Sequence, residues 1–337
     1  MPEPRPAPLT DDTPIYDIYI ANRASAALAV AVRLRLFERL EARPLDSDQI
    51  AQELELQPRP TRALVIALES LGLLERDVKE RYRPTARAAA FLVPDREPYL
   101  GWLIDLDFEH FITPERLMTA MKHNREQAYG DQAVWESHEA DPAQAERFAK
   151  AMHSISLRPA SALAEAFDFG AARSLLDVGG GQGTISQVLL ERHPDLRATV
   201  FELATVCRLI EASSTRPDRL SAVAGDMFED EWPTGHDLVL LSQILHDWSP
   251  DDGARLLEKA WNALPSGGSV LIHEKLVADD QKGPVANALV SLDMLFWTEG
   301  QQYTAAELAT ILDAAGFDSV TVRPTCGYWS LVSARKP

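Results

Sequence analysis

Residues 176–184 read Leu-Asp-Val-Gly-Gly-Gly-Gln-Gly-Thr, and this stretch constrains the fold more than any other. An apolar run from Ser174 to Val178 leads into a glycine-rich turn, and a helix is expected from Thr184. A buried strand followed by such a turn belongs to a doubly wound α/β sheet of Rossmann-like type, with its ligand at the turn. Glycine lets the backbone take positive φ and approach a ligand closely. Asp177, two residues before Gly179, narrows the choice of ligand. A carboxylate there would repel the pyrophosphate of a dinucleotide and would suit a cation. The dinucleotide spacing G-x-G-x-x-G also fails, because Gly179 and Gly181 fit but the third place is Thr184.

Two further acids extend the pattern. Glu202, followed by Leu203, ends the apolar run Ala198–Phe201, where an acid can take both hydroxyls of a ribose. Asp226 follows Leu220–Ala224, in Gly225-Asp226-Met227-Phe228. A short acid there can accept from an exocyclic amine, with Met227 or Phe228 against a purine face. S-adenosyl-L-methionine carries an ammonium, a sulfonium and no phosphate, so one acid after each of three successive strands points to it.

The chain has 337 residues, 46% of them hydrophobic, which suggests about two domains with substantial cores. Cys207 and Cys326 make no disulfide framework, and the Pro-rich, acidic start is unlike a targeting segment, so a reducing cytoplasm is expected. Residues 1–13 are expected to be disordered. No apolar run is expected to approach the ~20 residues that span a bilayer. The net charge of −18 disfavours nucleic acid and anionic membranes as partners. Residues 1–100 carry a net −2 and the rest −16, which supports a division into two parts.

The pattern predicts a helix over 14–42, one from Asp48 to Leu54 and one from Pro58 or Pro60 to Leu71. A polar hairpin follows over 73–84. Three helices and a hairpin make a winged-helix unit over 14–100. Residues 101–168 are expected to be linking helices, with one stretch over 98–123 and another opened by Asp141-Pro142 and running to about Phe167. From 169 to 337, strands are expected at 173–178, 198–202, 220–224, 237–242, 269–274, 318–323 and 328–334. This alternation implies a mostly parallel sheet.

A second constellation follows the fourth of these strands: Ser242-Gln243-Ile244-Leu245-His246-Asp247-Trp248. His246 falls at the carboxyl edge of the sheet, where ligands bind. An imidazole titrates near pH 6.5 and can take a proton from a phenol, whose pKa of about 10 otherwise makes it a poor nucleophile at neutral pH. No His or Cys pair has metal-binding spacing, so no metal is expected.

With these residues in view, the chain resembles the small-molecule O-methyltransferases typified by plant caffeate and flavonoid enzymes, acetylserotonin methyltransferase and bacterial polyketide-tailoring enzymes. The resemblance rests on Asp177-Val178-Gly179-Gly180-Gly181-Gln182-Gly183, Gly225-Asp226-Met227-Phe228, Leu245-His246-Asp247-Trp248, Gly267-Gly268 and Leu271-Ile272-His273-Glu274. It covers about residues 14–334. It implies that Gly179, Glu202, Asp226 and Met227 hold the cofactor, that His246 is the general base, that Glu274 orients His246 and that Trp248 lies by the cofactor. It also implies that the N-terminal unit serves dimerisation, giving a homodimer.

Two departures stand out. The family's second glutamate, before an Arg-Thr pair, is Gln302 here, which can hydrogen-bond an imidazole but lacks charge. The lysine that plant members carry four residues before the histidine is Ser242, which can contact the cofactor only through a short hydroxyl or its backbone; Gln243 beside it is a further expected cofactor contact. Phe148, Met152, His153, Met294 and Trp297 are expected to line a flat slot for a small aromatic acceptor. The leading function is therefore methyl transfer to a phenolic hydroxyl in secondary metabolism. Alternatives are C- or N-methylation, a relative that binds the cofactor without methylating, a winged-helix ligand sensor, and, last, a nicotinamide dehydrogenase. The sensor is disfavoured because its candidate recognition helix offers only Arg59 and Arg62 beside Glu69.

Overall fold

The computed structural model describes residues 10–130, 134–213, 216 and 218–337; the expected disordered stretch lies, through Leu9, outside the described residues. The chain forms two compact units, one ending at Glu109 and the other starting at His110. This boundary divides the expected linking region, because its first helix belongs to the N-terminal unit.

The N-terminal unit runs α1 (Thr13–Arg33), α2 (Leu36–Ala42), α3 (Ser47–Glu53), α4 (Pro58–Ser70), β1 (Leu74–Arg76), β2 (Tyr82–Pro84), α5 (Ala86–Leu92) and α6 (Gly101–Glu109). Asp46 caps α3 with a full capping box through Gln49. β1 and β2 pair antiparallel. Leu36, Phe37, Leu40, Ile50, Val65, Leu68 and Leu74 close one core, each fully buried aliphatic side chain adding about 1.5–3 kcal/mol. The single helix expected over 14–42 is two helices. The break falls at Arg35, whose φ of 51° is left-handed, and it turns Leu36, Phe37 and Leu40 into the core. The helix expected over 98–123 is likewise two. Thr113, accepting from the Arg116 N–H, starts a new helix with Pro114 in its first turn. By length and composition α1 is long and apolar enough to cross a bilayer, which corrects the expectation that no run approaches that length. Runs of alanine, valine and isoleucine outweigh Asp17 and Arg23 in its average.

The second unit begins with α7 (Pro114–His123), α8 (Val134–Ala140) and α9 (Pro142–Ala166). The sheet and its helices follow: β3 (Ser174–Val178), α10 (Thr184–Arg192), β4 (Arg197–Glu202), α11 (Ala204–Ser213), β5 (Leu220–Ala224), β6 (Leu238–Ser242), α12 (Pro250–Ala263), β7 (Ser269–Glu274), α13 (Val285–Trp297), α14 (Ala305–Ala314), β8 (Asp318–Pro324) and β9 (Ser330–Arg335). The strand order is β5-β4-β3-β6-β7-β9-β8. The first five strands are parallel, and β9 and β8 add an antiparallel edge. Alternate residues of each strand feed two cores, with Leu176, Val178, Val239, Leu241, Val270 and Ile272 on one face and Leu175, Leu238, Leu240 and Leu271 on the other. The chain order reverses between β3 and β6, the switch point where such sheets open a crevice at their carboxyl edge. The glycine turn after β3 and the His246 turn after β6 flank that crevice.

Candidate active site at the carboxyl edge of the sheet

The glycine turn is shaped by what surrounds it. Gly179 has φ +66°, and a Cβ there would overlap Ile244 and crowd Met227. Asp177 lies beneath the turn, 1% exposed, with Oδ2 accepting from Ser186 Oγ at 2.6 Å on α10 and Oδ1 without a partner. Burial raises this carboxyl to about 6, against the Ser186 hydrogen bonds. Asp177 thus ties β3 to α10 beneath the loop. Above Gly181 nothing would meet a Cβ, so that backbone is open to a ligand.

Glu202 is half-buried at the end of β4. One oxygen accepts the Leu203 N–H at 2.9 Å, and desolvation raises the group to about 7. Asp226 is exposed and spends Oδ1 on the backbone N–H groups of Phe228 and Glu229, at 2.7 and 3.1 Å. That bond fixes the turn presenting Met227 and Phe228. Phe228 meets Trp248 edge to face with centroids 4.6 Å apart, and the Arg255 guanidinium lies over the Phe228 ring, 5.0 Å from its centroid. Ser242 donates to the His273 carbonyl, and Gln243, at φ 57°, reaches Ser156 Oγ from its Nε2. His153 Nδ1 lies 2.8 Å from Thr184 Oγ1, at the first residue of α10, and so stands at the glycine turn.

His246 is buried in a single 3-10 turn, Leu245–Asp247, after β6. Its Nδ1 lies 2.7 Å from Gln302 Nε2 and 3.3 Å from Glu274 Oε2. Its Nε2 lies 3.7 Å from Asp247 Oδ1, beyond hydrogen-bond distance. Glu274 ends β7 and accepts the Ile244 N–H through Oε1 at 3.1 Å, which anchors the turn that carries the histidine. Burial acts against charge throughout. Desolvation lowers His246 to about 3, with Lys275 adding to the effect, and raises Glu274 to about 8. Asp247 is raised well above the carboxylate range, by burial and then by Glu274. At neutral pH the imidazole is therefore neutral.

Beside this triad stands a wall of rings. Phe148 lies 4.7 Å from His138 and 6.3 Å from Trp297 between centroids, and Trp135 lies 6.2 Å from Trp248. Tyr129 Oη bonds His138 Nε2 at 3.1 Å, and burial lowers His138 to about 4, keeping it neutral. Met294 is buried on α13 and Met152 half-buried on α9. The structure thus gathers His246, Glu274 and Gln302 at one point, and Phe148, Trp297 and Trp248 into one aromatic set. Tyr129, Trp135, His138, Asp247 and Gly300 were not singled out from sequence. The Asp247-Trp248 pair beside His246 was the only signal for any of them.

The donor set fits S-adenosylmethionine. It offers half-buried and buried carboxyl groups and an open glycine backbone, with Met227 against the glycine loop and Phe228 beside it. Among the described residues no group of His, Cys, Asp and Glu is arranged to hold a metal.

Comparison with known proteins agrees. Residues 115–318 match the family model described as O-methyltransferase domain, and residues 18–94 match the O-methyltransferase dimerisation domain. The chain is 38% identical to the 3-hydroxy-5-methyl-1-naphthoate 3-O-methyltransferase of Streptomyces sahachiroi, over 92% of this chain and 91% of that protein. It is 31% identical to the tetracenomycin polyketide synthesis 8-O-methyl transferase TcmO of Streptomyces glaucescens, over 96% of each chain. Human N-acetylserotonin methyltransferase, solved in complex with SAM, superposes with a TM-score of 0.88 at 25% identity, over 98% of this chain and 99% of that one. The chain belongs to the O-methyltransferase family and is an S-adenosylmethionine-dependent enzyme.

Proposed function

We propose that the enzyme methylates a phenolic hydroxyl of a small aromatic secondary metabolite, with His246 as general base, and that it works as a homodimer through its N-terminal unit. The observation that carries this reading is a neutral, buried imidazole at the carboxyl edge of β6, bonded at Nδ1 by Gln302, with Glu274 Oε2 3.3 Å from the same nitrogen, beside an aromatic wall. S-adenosylmethionine, when bound, supplies an electrophilic methyl group on a positively charged sulfur. The rings of Phe148, Trp135 and Trp297 hold the acceptor flat and exclude water. His246 takes the phenolic proton at Nε2 as the oxygen becomes nucleophilic. Glu274 in its ionised form lowers the cost of the positive charge that forms on His246, because opposite charges attract in a buried site. Gln302 keeps the ring in register. The dimerisation-domain match over 18–94 supports the homodimer.

The relatives motivate an aromatic hydroxy acceptor, so a hydroxynaphthoate is the natural first probe. Incubation with S-adenosylmethionine and the probe, followed by NMR of the product, is expected to show a new methyl ether. A methyl group on a ring carbon, or no transfer to any phenol in a broad panel, refutes the reading.

A further inference from the structure

The segment from Gly225 to Trp232 is neither helix nor strand, so side chains must take up its backbone groups. Several of them belong to the segment itself. Besides the two N–H groups that Asp226 holds, Asp230 Oδ2 accepts the Asp226 N–H at 2.8 Å. Trp232, buried beside Phe201, donates its Nε1–H to the Met227 carbonyl at 2.8 Å. Two further carbonyls are met from outside. Lys259, half-buried on α12, donates from Nζ to the Phe228 carbonyl at 2.7 Å and to the Asp230 carbonyl at 2.9 Å. Arg255 stands one turn earlier on the same face of α12, over the Phe228 ring, and is itself bonded to Asp252 at 2.9 Å. One face of α12 therefore grips Phe228 by both its backbone and its ring. Met227, next in the chain, lies against the glycine turn, where a Cβ on Gly179 would crowd it.

We propose that Lys259 is a positioning residue for the cofactor: it sets where the Met227–Phe228 turn stands, and so tunes affinity for the adenine half of S-adenosylmethionine without touching it. The inference rests on seating the adenine at that turn. The two kinds of bond do different work. Those from Asp226, Asp230 and Trp232 stay inside the segment and fix its shape. The pair from Lys259 ties the finished turn to α12, and α12 packs on the sheet through Leu256, Leu257 and Ala260. The turn thereby inherits the position of the core. An exposed lysine paired with a carboxylate would contribute little, because water and salt screen it. A half-buried ammonium shared by two carbonyls makes two charge-assisted bonds, which are short and strong. Without them the turn keeps its shape but is free to tilt away from the glycine loop, and a flat purine held between the two loses contact.

Calorimetry of the full chain with two ligands tests this: S-adenosylhomocysteine, and S-inosylhomocysteine, which differs only in carrying a carbonyl where adenine has its exocyclic amine. The wild type is expected to prefer the adenosyl ligand. Lys259→Met keeps the apolar stem and removes both donors. Its Kd for S-adenosylhomocysteine is expected to rise about tenfold or more, with a smaller change for S-inosylhomocysteine, so the preference shrinks. Lys259→Arg restores the donors and is expected to recover most of the affinity. The unfolding midpoint without ligand separates positioning from simple bracing of the fold. Equal weakening of both ligands together with a lowered midpoint overturns the proposal. Met227→Ala tests the seating of the adenine and is expected to weaken S-adenosylhomocysteine as well. If Met227→Ala weakens it and Lys259→Met does not, the seating stands and the role of Lys259 falls. If Met227→Ala has no effect, the adenine lies elsewhere and the proposal falls with its seating.

Discussion

Gln302 Nε2 and His246 Nδ1 lie 2.7 Å apart with both side chains buried, while Gln302 Oε1 has no partner. Which end of the amide faces the ring decides the tautomer. With the N–H end donating, the imidazole proton sits on Nε2 and that nitrogen cannot act as a base. With the carbonyl end accepting, the proton sits on Nδ1 and the Nε2 lone pair is free. Base catalysis through Nε2 requires the second arrangement.

Exchanging Gln302 for glutamate removes the choice, because a carboxylate only accepts. It also adds negative charge beside the imidazole, which favours imidazolium and raises the histidine pKa. The neutral base is then lost at a higher pH on the way down, so the acid limb of kcat/KM in Gln302→Glu moves to higher pH, with kcat at its plateau kept or raised. Gln302→Leu should lower kcat by about 5- to 100-fold, the cost of a lost buried hydrogen bond. An acid limb that moves to lower pH in Gln302→Glu contradicts this account.

His246→Ala should leave S-adenosylhomocysteine affinity intact by calorimetry and cut turnover by roughly 10²–10⁴-fold, the usual contribution of a positioned base. The deficit should shrink as pH rises toward the acceptor's own pKa of about 10, because solvent then supplies the phenolate. Near-wild-type transfer at neutral pH would remove His246 from the mechanism.

The buried carboxyl groups make a prediction for stability. Asp177 and Asp293 are raised to about 6, Glu202 to about 7 and Glu274 to about 8, each chiefly by desolvation. Each binds its proton more tightly folded than unfolded, so its contribution is present at low pH and lost as pH climbs to the folded value. His138, His246 and His273 are lowered, to about 4, 3 and 4. They cost stability as pH falls below about 6.5 and contribute a constant above it. Above pH 6.5, therefore, Glu202 and Glu274 still titrate and the histidines do not. The unfolding midpoint at fixed ionic strength should fall between pH 6.5 and about 8.5, and Glu274→Gln should flatten that slope. A midpoint that rises across this range runs against the assignment.

The sheet was readable from the sequence because buried parallel strands are unbroken apolar runs, as in Leu238–Leu241 and Val270–Ile272. Glu274 and Gln302 came only with the family resemblance, whereas His246 was readable from its place just past the fourth strand of the sheet. The Arg35 break was not, since nothing in an arginine announces a left-handed φ. Asp177 was read as facing a cation, but its contact with Ser186 beneath the loop depends on how α10 packs on β3. The pairing of Tyr129 with His138, and of Trp135 with Phe148 and Trp248, depends on where α8 and α9 come to rest, which no local pattern encodes.

Gly300 shows the same limit and supplies a final test. A Cβ built on it would overlap the carbonyl oxygen of His246, so the Glu299–Tyr303 segment lies directly on the turn that carries the base. This contact sets the height of Gln302 above the imidazole. Gly300→Ala must push apart either that segment or the His246 turn, and the bond between Gln302 and Nδ1 lengthens in both cases. Overpacking of this kind costs about 1–3 kcal/mol of stability. Turnover should fall about as far as in Gln302→Leu, and the two changes should not be additive, because both act through one hydrogen bond. S-adenosylhomocysteine affinity should stay near wild type, since the glycine turn and Glu202 are untouched. Fully additive losses in the Gly300→Ala, Gln302→Leu double variant would show that Gly300 acts by some route other than the position of Gln302.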